Sequence, residues 1–194
     1  MEFVCRDPNA VVRAANVRAT LDAFLLVPSV GQRIIANHRL ELRDLTPDKF
    51  VPVQRWLDAL REIQETVGTA VVRHVGTRII ENAEFPPTLP TVESILESLD
   101  AIYHLNHRGE VGHYHCQRDG ESLVVRCETP YPRHFEWGLV EGICRSKAAG
   151  GRRYFVAFEP GPASGDLTCT VTVRRREAAP EAAKDGARGR TGPR

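Results

Sequence analysis

Apolar residues in the front half of the chain recur with the period of about 3.6 residues that is typical of helices. The strongest stretch begins after Pro52, where positions 53, 56, 57, 60 and 63 fall on one helical face. Gly68 predicts a break, and a similar stripe continues to Asn82. Earlier helices are predicted to begin at Asp7-Pro8 and at Pro28-Ser29, because proline fits the first helical turn.

Beyond Arg108 the pattern shortens toward alternation, which is typical of strands. Asp119-Gly120 lies between two alternating segments and predicts a tight hairpin. A helix from about His134 to Lys147 and two further strands complete a ββαββ unit. We therefore predict an α+β fold, in which a helical N-terminal half packs on an antiparallel four-stranded sheet. Gly138 and Gly142 share one face of the 134–147 helix and predict that another element approaches it closely, as a pocket wall or a packing seam.

The length of 194 residues favours one domain with a tail. The proline-rich connector at 85–90 is the best internal boundary. We predict a helical lead-in over 1–84, a ligand-binding-like unit over 85–176, and a disordered tail rich in Ala, Gly, Pro and Arg over 177–194.

Composition narrows the classes of partner. The net charge of +1 disfavours a nucleic-acid binder that relies on a basic surface. No apolar run approaches the roughly 18 residues of a membrane span, so we expect no membrane association. The start lacks the apolar core of a signal peptide and the cysteines are scattered, so we expect a cytoplasmic protein with reduced thiols.

The register of the hairpin decides what its histidines can do. A two-residue Asp119-Gly120 loop would pair Arg118 with Glu121. The resulting apolar face holds Tyr114, Cys116, Leu123, Val125 and Cys127. His113 and His115 fall on the polar face, so His115 and Cys116 point apart and cannot share one metal, and we interpret both histidines as surface residues.

Two more histidines, His104 and His107, lie near the end of the helix predicted over 91–107. The simpler interpretation is that the helix dipole stabilises both. The alternative is that His107 and Tyr103 form the polar end of a buried cavity.

No stretch carries a catalytic pattern such as a nucleophile elbow, a zinc-protease helix or a phosphate-binding loop. Cys127 and Cys144 are interpreted as small buried hydrophobic residues. Glu136 and Glu141 are five apart on a helix and therefore diverge, so we predict that both are solvated and do not pair for acid–base chemistry. A non-enzymatic protein is the expectation.

The capped helix at 91–107, the hairpin, the Pro130-Tyr-Pro132 turn into a helix and the closing strands with Gly165-Asp166 together resemble the 4-vinyl-reductase-type ligand-binding domains. These belong with the haem-NO-binding sensor domains and the Golgi-tether proteins of related fold. The resemblance spans about residues 85–175 and implies a ligand-binding or sensory domain.

Several members of that family bind zinc through three cysteines and an acidic residue. The resemblance places Arg133 and Pro162 at two of the cysteine positions and leaves Glu159 and Cys169 as the matching ligands. A structural zinc normally has four good ligands, so we predict no metal here. We expect an Arg133–Glu159 ion pair in its place.

Haem-binding relatives hold iron through a helical histidine and bind the propionates with a Tyr-x-Ser-x-Arg set. Counting from Tyr103, Leu105 stands in the place of the serine and His107 in the place of the arginine. We predict no cofactor; the resemblance makes haem possible, but these residues do not support it.

The leading hypothesis is a non-enzymatic small-molecule-binding or sensory domain that acts through a partner protein, with a small, mostly apolar ligand between the sheet and the helices. The predicted ligand-binding residues are Tyr103, His107, Tyr114, Cys127, Tyr131 and Trp137. The alternative for each of them is ordinary core packing.

Two rival functions remain open. A dimerising adaptor of the same fold would have a filled core and could use the glycines of the 134–147 helix as a homodimer seam. A small hydrolase or reductase would have a base hydrogen-bonded to a nucleophile in a cleft. A cavity above about 300 Å³ would favour the sensor.

Overall fold

The computed structural model describes residues 2–22, 28–40, 43, 45–81, 88–162 and 165–176. The helices within these ranges are α1 (Ala14–Asp22), α2 (Pro28–Asn37), α3 (Val53–Val67), α4 (Thr69–Glu81), α5 (Val92–Glu97), α6 (Leu99–Asn106) and α7 (Arg133–Arg145). The strands are β1 (Val11–Arg13), β2 (Phe50–Pro52), β3 (His107–Arg108), β4 (His113–Asp119), β5 (Ser122–Glu128), β6 (Tyr154–Pro160) and β7 (Cys169–Arg175). The predicted tail over 177–194 lies outside the described residues.

Two antiparallel sheets accompany the helices, which confirms the α+β class. The four strands predicted in the back half form one sheet in the order β4-β5-β7-β6. A smaller sheet in the order β2-β1-β3 joins Val12 to Val51 on one side and to His107 on the other. This second sheet was not predicted from the sequence, because strands of two or three residues are too short to show a period.

The helix predicted to begin at Asp7-Pro8 begins later, at Ala14. The Asp7 carboxylate accepts hydrogen bonds from the backbone N–H groups of Asn9 and Glu110, so it caps a turn before β1. The other predicted helix starts agree with the structure, including the break at Gly68 between α3 and α4. The capped helix is divided at Ser98 into α5 and α6.

The hairpin of β4 and β5 has a register two residues away from the predicted one. Asp119 pairs with Ser122 and Tyr114 pairs with Cys127, so the loop consists of Gly120 and Glu121. Gly120 has φ +57°, a conformation that glycine adopts without strain. A shift of two residues preserves the alternation of faces, and the predicted buried and exposed sets of side chains are therefore retained.

Helices α4 and α7 make the most extensive helix–helix contact in the described residues. A Cβ atom on Gly138 would lie 1.9 Å from the Arg73 carbonyl oxygen, and one on Gly76 would lie 2.2 Å from that of Phe135. The predicted glycine seam is therefore present, and its partner is a helix of the same chain. Arg73 on α4 closes it with a two-pronged ion pair to Glu141 on α7.

Candidate functional site

A hydrogen-bonded group of aromatic side chains lies between the end of α6 and the start of α7. The Tyr103 hydroxyl donates to the Val111 carbonyl oxygen at 2.8 Å. His107 Nδ1 lies 2.8 Å from the Tyr103 carbonyl oxygen, which can only accept, so Nδ1 carries the proton. His107 Nε2 is therefore the acceptor, and the Tyr131 hydroxyl donates to it at 2.8 Å.

A carboxyl group lies beside these aromatic side chains. Glu136 on α7 has no exposed surface. The Tyr114 hydroxyl donates to its Oε2 at 2.5 Å, and the Thr129 hydroxyl donates to its Oε1. The Tyr103 and Tyr114 rings meet edge to face with their centres 5.0 Å apart. We call the whole set the buried polar cluster; it consists of Tyr103, His107, Tyr114, Thr129, Tyr131 and Glu136.

Burial shifts each pKa in the cluster in the direction that favours the uncharged form of the side chain. Desolvation raises the pKa of Glu136 to about 7, although the hydroxyls of Thr129 and Tyr114 oppose the shift. Desolvation also lowers the pKa of His107 to about 4, against the backbone hydrogen bond to Tyr103. The pKa values of the three tyrosines are raised, chiefly by burial. The cluster can therefore hold a buried proton near neutral pH without carrying a cation.

Four of the six predicted ligand-binding residues, Tyr103, His107, Tyr114 and Tyr131, come together in this cluster. Their side chains contact one another, which agrees with the alternative interpretation that they are packed in the core. Cys127 is buried opposite Tyr114 in the register of β4 and β5. A hydrogen bond with Cys169 and desolvation both raise the pKa of the Cys127 thiol, so it is protonated and inert at neutral pH.

Trp137 lies on another side of α7, away from the cluster. Its ring stacks on Phe158 of β6 with the centres 4.8 Å apart. The guanidinium carbon of Arg73, on α4, lies 3.3 Å from the centre of the Trp137 ring. The structure therefore gives Trp137 a role in packing α4 and β6 against α7.

Arg133 has a different ion-pair partner from the predicted Glu159. Its Nε and an Nη atom lie 3.0 and 2.9 Å from the Glu2 carboxylate, and its backbone N–H donates to the same group at 2.5 Å. The prediction of Glu159 is wrong because alignment along the chain could not show that residue 2 returns to the start of α7. This contact anchors the N-terminal segment there.

The N-terminal segment forms one wall of a cleft of about 230 Å³ that opens to solvent. The cleft is lined by residues 4–6, 110–113 and 128–130 together with Asp166. Two of its lining residues reach the cluster directly, because Val111 accepts from Tyr103 and Thr129 donates to Glu136. The buried polar cluster therefore lies immediately beneath the cleft.

Glu136 and Glu141 were both predicted to be solvated, and this prediction is wrong because both are buried. Glu136 faces the cluster, while Glu141 is 8% exposed and pairs with Arg73. The two side chains do diverge, but α7 is covered on both sides and each meets a different partner. The sequence did carry one indication that these carboxylates are buried, because both lie among the apolar and small residues of α7.

The interior does not fit a haem group. Both ring nitrogens of the buried His107 are occupied, so it has no lone pair for iron. His104 is exposed at the surface of α6. Counted from Tyr131, the serine and arginine positions of the Tyr-x-Ser-x-Arg set hold Arg133 and Phe135.

None of the helices within the described ranges is long and apolar enough to cross a membrane. By sequence, no protein-family model and no curated protein matches this chain.

Solved structures of H-NOX (haem-NO-binding) domains do match in fold. One, from work on haem distortion in the H-NOX family, is 15% identical with a TM-score of 0.66 and covers 89% of this chain and 100% of its own. An oxygen-binding H-NOX domain related to soluble guanylate cyclases is 15% identical with a TM-score of 0.64, covering 85% of this chain and 95% of its own. An H-NOX protein from S. oneidensis in the Fe(II)NO state is 13% identical with a TM-score of 0.62, covering 85% and 99%. The likeness shows the fold: the resemblance to haem-NO-binding domains is confirmed at that level, and its 4-vinyl-reductase part stays a prediction.

Proposed function

We propose that this chain is a non-enzymatic sensory or regulatory domain that binds a small molecule and acts through a partner protein. The observation that carries the proposal is the extent of the fold match. The likeness covers nearly the whole of the H-NOX structures and includes the helical front half as well as the sheet. The chain therefore has the complete framework of a domain whose solved examples bind haem and gases.

The ligand of this chain is proposed to be a small molecule other than haem. Since both nitrogens of His107 are already used, haem would have to displace a satisfied hydrogen-bond network. The cleft above the cluster offers a site that is already open. Its volume of about 230 Å³ is below the roughly 300 Å³ named above as favouring a sensor, so the size of this cleft does not support the sensor and the proposal depends on the fold match. A ligand held in this cleft would be a small metabolite.

The cleft modifies the expectation of a mostly apolar ligand. Val4, Val111 and Pro130 provide apolar surface, while Arg6 and Glu128 lie among the same lining residues. A small molecule with one apolar side and one polar end fits this combination. Binding would reach α6 and α7 through Val111 and Thr129, which connect the cleft to the cluster, and it would pass to a partner by biasing the packing of these helices.

A dimerising adaptor remains the second candidate, because the predicted ligand-binding residues of the interior contact one another. The predicted route to a dimer through the glycines of α7 is not open, since α4 of the same chain occupies that seam. An adaptor would therefore use another surface.

Two measurements on the full chain test the proposal. The first is an absorption spectrum and iron analysis of protein produced with added haem precursor; we expect no haem band and no stoichiometric iron. The second is native mass spectrometry of protein purified from its own host. We expect one small molecule per chain, retained in Leu105→Trp and lost in Val4→Trp.

The two substitutions form a matched pair. Both replace an exposed aliphatic side chain with tryptophan, but only Val4 lines the cleft, whereas Leu105 lies on the surface of α6. One haem per chain would contradict the proposal. Equal retention by both variants would exclude the cleft, and a bound protein subunit without any small molecule would favour the adaptor.

A further inference from the structure

Three side chains that the predicted function does not use converge at the junction of α6 and β4. Asp100 and His104 are four residues apart on α6 and therefore share one face of the helix. His113 is the first residue of β4. Each residue offers one atom that could bind a metal, a carboxylate oxygen or an imidazole nitrogen, and these atoms all lie within 4.8 Å of one another.

The spacing of these atoms matches one face of a metal coordination tetrahedron. His104 Nε2 lies 3.2 Å from His113 Nδ1. Asp100 Oδ1 lies 3.3 Å from His113 Nδ1 and 3.6 Å from His104 Nε2. A tetrahedral zinc ion with ligands at about 2.0–2.1 Å would hold its ligand atoms about 3.3 Å apart, so little movement is needed to bind one.

The surroundings hold this arrangement in place. The Tyr114 backbone N–H donates to Asp100 Oδ1 at 2.9 Å and orients the carboxylate. The edge-to-face contact between the Tyr103 and Tyr114 rings ties α6 to β4 beneath the three side chains. The His113 side chain is 53% exposed, which leaves an entry path for an ion.

We propose that Asp100, His104 and His113 form a binding site for a divalent transition metal, with Zn²⁺ as the best-fitting ion. Two imidazoles and one carboxylate are ligands that zinc accepts, and three protein ligands leave its fourth position open to water or to another molecule. His113 also lines the cleft described above, so the metal lies at the edge of that cleft. The site stands independently of the proposed sensory function.

The test is a titration of the purified full chain with Zn²⁺ and, separately, with Co²⁺ as a spectroscopic probe. We expect one equivalent of Zn²⁺ to bind and to raise the midpoint of thermal unfolding by about 5 °C. Bound Co²⁺ should show the visible bands of a tetrahedral ion without a near-ultraviolet thiolate band, which separates this site from the free cysteines.

The variants His104→Ala and His113→Ala should each weaken Zn²⁺ binding by at least about tenfold. His74→Ala is the control, since this histidine is exposed on α4 and lies outside the site. Circular dichroism checks that the variants keep their fold, because the two histidines are exposed and their loss leaves no cavity. Unchanged affinity in both site variants, or a thiolate band with Co²⁺, would overturn the assignment.

Discussion

At the residue scale, the two ionisable side chains of the buried polar cluster have opposite effects on stability as the pH changes. The pKa of Glu136 is raised from 4.5 to about 7, so its contribution is complete below pH 4.5 and is lost as the pH rises to about 7. The pKa of His107 is lowered from 6.5 to about 4, so its contribution is complete above pH 6.5 and is lost as the pH falls to about 4. Between pH 4.5 and pH 6.5, Glu136 makes the stability fall as the pH rises and His107 makes it rise, so the two effects oppose each other.

Replacing Glu136 by Gln should expose the slope that belongs to His107. Glutamine keeps the shape of the side chain, and the hydroxyls of Tyr114 and Thr129 can each donate or accept. We expect the free energy of unfolding of Glu136→Gln to rise by about 3 kcal/mol between pH 4 and pH 6.5, since each pKa unit corresponds to about 1.4 kcal/mol. The wild-type chain should be nearly flat over this range. Chemical denaturation at a series of pH values measures both profiles.

A matched control is Glu65→Gln, at an exposed position of α3, which should reproduce the wild-type profile. The reciprocal variant His107→Gln should become less stable as the pH rises from 4.5 to 7. A profile for Glu136→Gln that is as flat as the wild type would show that the two groups do not titrate as described.

Some side-chain positions could be predicted from the sequence, and others depend on contacts between distant elements. The alternation of β4 and β5 placed Tyr114 and Cys127 correctly on the buried face, because a shift of two residues leaves each side chain on its own face. It could not reveal that Asp100 and His104 meet His113, since that contact depends on how α6 packs against β4. The local signal was the i, i+4 pair of Asp100 and His104 on α6, followed by His113 at the start of β4.

At the element scale, the seam between α4 and α7 depends on the absence of side chains. Gly138→Ala should lower the free energy of unfolding by about 3 kcal/mol, because its Cβ would meet the Arg73 backbone at 1.9 Å and the helices would have to separate. Gly142→Ala should cost only about 1 kcal/mol, because its nearest contacts are 2.9 Å away and alanine favours a helix. Urea denaturation gives both values. Equal losses in the two variants would mean that close packing of the backbones is not the cause.

Elements with strong local signals were predicted and elements built from distant contacts were not. Thr91 and Ser94 form a capping box, so the start of α5 is encoded within four residues. Strand β1, by contrast, is a three-residue segment whose partners are residues 50–52 and 107–108. Its neighbour Asp7-Pro8 has the local character of a helix start, and the pairing with distant strands prevailed.

At the scale of the whole molecule, the predicted lead-in over 1–84 and the predicted unit over 85–176 are joined by three kinds of contact. Strand β1 pairs with β3, α4 packs on the glycine face of α7, and Glu2 binds Arg133 at the start of that helix. The fold match to H-NOX domains likewise extends over 85–89% of the chain. These contacts imply that the back half depends on the front half for its stability.

A fragment of residues 85–176 expressed alone should therefore lack a cooperative unfolding transition. Helix α7 would lose the helix that covers its glycine face, Glu141 would lose Arg73, and β3 would lose its only strand partner in the described residues. The control is the full chain cut at a protease site inserted at 85–90, which should stay associated and unfold cooperatively, because every one of these contacts remains. Calorimetry compares the two preparations. A fragment that unfolds cooperatively at the midpoint of the cut chain would show that the back half is a domain in its own right.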